Sequence, residues 1–180
     1  MNKLIAFVGM SGSGKSVAND ILEEQGWKKV YFGGITMDIL KEQGLEFTQE
    51  NEKPLREKLR KEHGMGAYAK LSLPKINELI KDNNVFIDGL YSWDEYKVLQ
   101  EEFEDNIKLI AIIADKNIRY DRVSKREIRP LKAEEVMKRD IAEIENLAKG
   151  GPIAYADYYI YNNSDINAYI ERLNEIINKL

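Results

Sequence analysis

The chain contains no cysteine, which excludes disulfides, thiolate metal sites and a cysteine nucleophile. Its one histidine, His63, excludes a multi-histidine metal centre as well. Long apolar runs are missing: Leu4 to Val8 gives way at once to Gly9, far too soon for a signal peptide or a membrane span. No membrane partner is therefore expected, and the cytoplasm is the expected location. Nor is there an excess of positive charge. Lys and Arg number 27 against 31 Asp and Glu, for a net charge of −4, so wholesale binding to nucleic acid is disfavoured while local basic patches stay possible. No internal repeat, low-complexity stretch or linker interrupts the 180 residues, and that length fits a single domain over 1–180.

What is present alternates between short apolar runs and helical patterns. The run from Leu4 to Val8 has a turn signal behind it, as a strand buried on both faces would. Further strands are expected at Lys29 to Phe32, Val85 to Asp88, Ile107 to Ala114 and Tyr158 to Tyr161. Helices are expected at Lys15 to Gln25, Thr36 to Gln43, Asn51 to Glu62, Ala67 to Lys81, Asp94 to Phe103, Asn117 to Lys125, Ala133 to Leu147 and Ile166 to Ile177. Asn51 reads as an N-cap with Pro54 in the first turn; the stretch Lys149-Gly150-Gly151-Pro152 reads as a break. Alternation of this kind implies a parallel sheet covered on both faces. The helices between Gly34 and Lys81, and those around Glu127 to Leu147, exceed what a minimal βαβ unit needs. They are candidates for mobile covers over a site at the strand carboxyl ends.

Gly9-Met10-Ser11-Gly12-Ser13-Gly14-Lys15-Ser16 fits G-x-x-x-x-G-K-[ST] in full, after a buried strand and before a helix. The glycines let backbone N–H groups point inward at an anion, and the helix N-terminus adds partial positive charge. Lys15 can reach the β- and γ-phosphates, and the Ser16 hydroxyl suits Mg²⁺. Asp88 closes the apolar strand Val85-Phe86-Ile87. It could accept from water on that metal, or simply open the Asp88-Gly89 turn. Asp115, after the next apolar strand, competes for the metal but also reads as an N-cap.

A basic cluster runs from Lys116 to Arg139. Arg119, Arg122 and Arg126 share a helical face, and Arg129 follows in the loop before Pro130. Such a face is usually solvated. Here it follows a long core strand, and arginine's planar fork binds phosphate oxygens in pairs. Arg122, Arg126, Arg129 and Arg139 are therefore candidate phosphate contacts.

Together these residues resemble small P-loop nucleotide kinases, the adenylate kinase-related and dephospho-coenzyme A kinase-like group. The resemblance covers the glycine loop, the Val85 to Gly89 strand end, the segment from Arg119 to Arg139, and Ala156 to Asn163. It implies a three-layer P-loop NTPase fold, α/β, with five parallel strands and a helical acceptor-binding insertion at about 33–81. A short lid at about 126–139 would close over ATP, with Mg²⁺ as the metal. Asn163, in the turn after the last strand, would lie near the adenine, and Gly34 falls in the acceptor segment after the second strand. Two departures stand out. The dephospho-coenzyme A kinases carry an acid just after strand two, where this chain has Phe32-Gly33-Gly34-Ile35-Thr36 and no carboxylate before Asp38. The adenylate kinases carry an arginine in the following helix, where this chain offers Asp38 and Lys41.

A phosphate acceptor, with a second pKa of about 6, needs cations rather than a base. Arg56 and Arg60 lie four residues apart on one helical face, with Leu55 and Leu59 beside them, and Lys70 could point the same way. A helix this charged is otherwise simply solvated. Tyr91 and Trp93 offer an aromatic wall or a core role, and His63 reads as a helix-end residue. The expected activity is transfer of the γ-phosphoryl group from ATP to a small nucleotide-like acceptor, a nucleoside monophosphate or dephospho-coenzyme A, by a monomer or homodimer. The alternative is a regulatory P-loop NTPase acting on a protein partner. No N-K-x-D guanine signature supports that reading, since Asp115-Lys116-Asn117 has the wrong order.

Overall fold

The computed structural model describes residues 2–128, 130–163 and 165–180; the candidate phosphate contact Arg129 lies outside them. The chain runs β1 (Leu4–Val8), α1 (Lys15–Glu24), β2 (Lys28–Tyr31), α2 (Gly34–Glu42), α3 (Gln49–His63), α4 (Ala67–Leu79), β3 (Val85–Asp88), α5 (Trp93–Phe103), β4 (Ile107–Ile113), α6 (Lys116–Ser124), α7 (Ala133–Leu147), α8 (Gly150–Ala154), β5 (Tyr158–Tyr161) and α9 (Ile166–Lys179). The five strands form one parallel sheet in the order β2-β3-β1-β4-β5. Among the described residues, no helix is long and apolar enough to cross a membrane.

Alternation along the central strand divides the core. Leu4, Ala6 and Val8 face one side, packed with Leu40 of α2, Leu55 and Leu59 of α3, Ile76 of α4 and Leu99 of α5. Ile5 and Phe7 face the other, with Ala18 and Leu22 of α1 and Tyr169, Leu173 and Ile176 of α9. All five β1 residues are buried, as a strand covered by helices on both faces must be. Adjacent β1 and β4 send their next connections to opposite ends of the sheet. A crevice opens at their carboxyl ends, the place where open α/β sheets bind ligands.

Three sequence expectations are corrected. The cap of α3 is Thr48, whose Oγ1 accepts from the Asn51 backbone N–H at 3.4 Å; Asn51 instead donates its side-chain amide to the Glu46 carbonyl. Pro54 therefore sits in the second turn, inside the helix. The expected break at Lys149 to Pro152 contains the short helix α8. Pro152 is its third residue, where a missing N–H costs nothing because first-turn donors have no partner within the helix. Asp115 occupies the N-cap position of α6 without a side-chain capping bond, and its backbone N–H donates to Asn163 Oδ1. His63 is the last residue of α3, as expected.

Candidate functional site

The glycine loop is fixed from three sides. Gly12 has φ +82°, and a Cβ there would collide with the Arg119 backbone and the Val123 side chain; only glycine lets α6 pack this closely on the loop. Gly14 has φ +105°, and its missing Cβ makes room for the Asn162 amide. That amide donates to the Ser13 carbonyl at 2.8 Å, and the Tyr169 hydroxyl donates to the Gly14 carbonyl at 3.1 Å. Arg119 donates to the Ser11 carbonyl and forms a two-pronged ion pair with Asp140 of α7. Arg119 is 8 % exposed and Asp140 7 %. The pair ties α7 to the loop, so one member of the basic segment braces the backbone.

Lys15 turns its ammonium back onto the loop, donating to the carbonyls of Gly9 at 2.7 Å and Met10 at 3.2 Å. Burial of the ammonium, with the charge of Lys149 beside it, lowers its pKa to about 7. Glu143 and Asp88 oppose that shift and Arg139 adds to it.

Lys15, Lys149 and Arg139 line one cavity of about 440 Å³, together with Ser11, Gly12, Gly14, Ser16, Asp88, Tyr91, Arg122, Arg126 and Asn162. Gly9 and Ser13 belong to the loop behind it. Arg122 donates to the Asn162 carbonyl at 2.8 Å, so it holds the β5 end while lining the cavity. Burial, then the Arg139 charge, lowers the pKa of Arg126. Asp88 stands 3.9 Å from the Lys29 ammonium.

Among the described residues, no group of three or more His, Asp or Glu could hold a metal. Ser16 and Asp88 nevertheless supply hard oxygen donors to the same cavity, a set that fits Mg²⁺ completed by ligand oxygens and water.

One cluster was not anticipated from sequence. Lys149, the residue before α8, is 1 % exposed. Its ammonium donates to Glu143 at 2.5 Å and stands 4.5 Å from the centre of the Tyr91 ring. Glu143 also accepts from Arg139 at 2.9 Å. Burial works to raise the Glu143 pKa, but the Lys149 and Arg139 contacts outweigh it and the pKa is lowered. Asn162 was passed over for its neighbour Asn163, which accepts from the Asp115 N–H and is not among the cavity residues. The signal was available: strand alternation from buried Ile160 puts residue 162, not 163, on the inner side.

The acceptor candidates fall elsewhere. Arg56 pairs with Glu52 at 2.9 Å, Arg60 lies over the Tyr68 ring at 5.7 Å, and Lys70 donates to the His63 carbonyl. Gly34 opens α2. None of the four lines the cavity, whereas Tyr91 and Arg139 do. Trp93 packs with Tyr96 and Tyr155.

This geometry defines an α/β protein of the P-loop NTPase type, with kinase-like neighbours of known structure. TT1252 from Thermus thermophilus superposes with a TM-score of 0.71 at 18 % identity, covering 99 % of this chain and 98 % of that one. Shikimate kinase from Bacteroides thetaiotaomicron does so at 0.60 and 12 %, covering 99 % of each. Residues 5–143 match the AAA domain family. More narrowly, the chain belongs to the UPF0200 proteins. A Thermococcus onnurineus UPF0200 protein is 33 % identical over 181 residues, 98 % of this chain and 97 % of the relative. An Archaeoglobus fulgidus UPF0200/UPF0201 protein is 34 % identical over 99 % of this chain, which spans 56 % of that relative's length.

Proposed function

We propose that the protein is an ATP- and Mg²⁺-dependent phosphotransferase that moves the γ-phosphoryl group to a small nucleotide-like acceptor, a nucleoside monophosphate or dephospho-coenzyme A. One observation carries this reading: Lys15, Arg122, Arg126, Arg139 and Lys149 converge on the cavity that the glycine loop and Asp88 also line. Phosphoryl transfer asks for this arrangement, since the protein's contribution is positioning and charge stabilisation. The loop amides and Lys15 would cradle the β- and γ-phosphates. Ser16 and Asp88 would hold the metal, which draws charge from the phosphate oxygens when bound. Arg126 and Arg139 would face the transferred group, and Arg129 remains a candidate from the sequence alone. The acceptor oxygen bonds to the γ-phosphorus as the bridging oxygen–phosphorus bond breaks, and ADP carries away the electron pair; a phosphate acceptor enters already ionised, whereas a dephospho-coenzyme A hydroxyl would release its proton to water. Arg56, Arg60 and Lys70 are the candidate acceptor contacts from α3 and α4.

The test is a panel of acceptors, nucleoside monophosphates and dephospho-coenzyme A included, incubated with γ-labelled ATP. Label should pass to one acceptor class. An exposed apolar stripe on α7 (Met137, Ile141 and Ile144) favours a second reading, a regulatory NTPase with a protein partner. Hydrolysis indifferent to every small acceptor would select it.

A further inference from the structure

Lys149 has no explanation in stability. Taking an ammonium and a carboxylate out of water costs several kcal/mol each, and a buried ion pair of this kind returns about that cost at best. Lys149 and Glu143 are nonetheless both buried, at 1 % and 8 % exposure. Two further features lift Lys149 above a packing ion pair. It lines the cavity that holds Lys15 and Asp88, so two lysines face one space from opposite ends of the chain. Its donors are also underused. An ammonium has three N–H groups; among the described residues, Glu143 is the one acceptor within hydrogen-bond distance, and the Tyr91 ring face takes part of the charge from another side. Two cations held this close repel each other. A group with several anionic oxygens relieves both at once, and beside Lys15 and Asp88 that group is the terminal phosphoryl of a nucleoside triphosphate.

We propose that Lys149 is a second phosphate-binding lysine of this site, held in place by Glu143 on α7 and the Tyr91 ring, and that it contacts the γ-phosphoryl group. The proposal rests on the phosphotransferase reading above and names a contact that the loop motif does not contain. Glu143 then has a defined part: it anchors the ammonium and, through its other oxygen, Arg139, so both cations are positioned by one carboxylate. That shared carboxylate offsets part of the repulsion between the two cations.

The experiment measures dissociation constants of Mg·ADP and of Mg·AMPPNP, a slowly hydrolysed triphosphate, by calorimetry, with melting temperature as a fold check. The quantity read is the preference for triphosphate over diphosphate. Lys149→Met should lower it at least tenfold, with ADP affinity changed less than threefold. Glu143→Gln removes the carboxylate that holds the ammonium in place and keeps it charged against burial, so it should lower the preference as well, by less than Lys149→Met. A purely structural ion pair predicts lower melting temperatures in both variants and no change in preference, and that result overturns the proposal. Should Lys149→Met fail to fold, Glu143→Gln decides alone: a lowered preference supports the contact, an unchanged or raised one overturns it. Failure of the wild-type protein to bind either nucleotide would sink the phosphotransferase reading and this contact with it. Normal binding with unchanged preference sinks the contact only.

Discussion

At the scale of single residues, Lys15 carries the sharpest consequence. Its pKa of about 7 lies far below the usual value near 10.4 for a lysine in water. Burial is its main cause, and the charges that modulate it come from Lys149 before α8, Glu143 and Arg139 on α7, and Asp88 on β3. Unfolded chain binds the proton more tightly than the fold does, so the free protein should gain stability as pH rises from about 7 towards the unfolded value. Bound polyphosphate reverses the balance by raising the Lys15 pKa again, so binding takes up a proton in that window. Nucleotide affinity should therefore fall as pH rises above 7, by up to about tenfold per unit. Calorimetry in buffers of different ionisation enthalpy would read the proton directly. A Lys15→Arg protein, always charged, should show neither effect; a pH-independent wild type would refute the assignment. The motif offered Lys15 as a phosphate contact. Its lowered pKa was not legible there, because the burial that mainly sets it is a product of the fold, as is the approach of Lys149, 134 residues away in sequence (149 − 15).

At the scale of elements, the contacts between α6, α7 and the loop explain why part of the basic segment faces inward. Sequence spacing put Arg119, Arg122 and Arg126 on one face, but it could not say that Arg119 would be consumed by Asp140 and the Ser11 carbonyl. The partner Asp140 lies on α7, the next helix after the loop. Removing one member of a buried pair leaves an uncompensated charge, at a cost of about 3–5 kcal/mol. Asp140→Ala should lower the melting temperature by roughly 6–20 °C for a chain of this size, and nucleotide affinity should drop with it because Arg119 then loses its hold on the loop. Retained stability with weakened nucleotide binding would instead give Arg119 a direct ligand role. Gly12→Ala should fail in the same place for a different reason, since its Cβ would meet the Arg119 backbone; loss of nucleotide binding in a folded variant is the expected result. The missed helix α8 belongs to this scale too. Glycine and proline signalled a break, yet Gly151 lies flat against Trp93, where a Cβ would come within 2.9 Å of the ring, and that packing lets a helix turn form.

At the scale of the whole molecule, the parallel sheet and its two-sided core followed from alternating patterns, while the strand order and the relation between the two halves of the site did not. The nucleotide half is assembled from the glycine loop, α1, the β3 end, α6, α7 and the β5 end, and its cations are gathered despite a net charge of −4. The segment from α2 to α4 packs on the opposite sheet face from α1 and α9, and its arginines have protein contacts of their own. Arg60 is nonetheless the arginine of this segment that we propose for the acceptor. The Tyr68 ring under it is fixed by a 2.7 Å hydrogen bond between the Tyr68 and Thr36 hydroxyls, and the Arg60 Nε is buried with no hydrogen-bond partner among the described residues. A charge-assisted hydrogen bond contributes about 1.5–3 kcal/mol. Arg60→Ala should therefore raise the acceptor KM about ten- to a hundredfold, whereas ATP affinity stays within twofold. Steady-state kinetics at saturating ATP, with the acceptor found by the labelling panel, give the first number, and calorimetry gives the second. Loss of ATP affinity alone would move Arg60 out of the acceptor half, and an unchanged KM with a lower melting temperature would reduce it to a support for Tyr68.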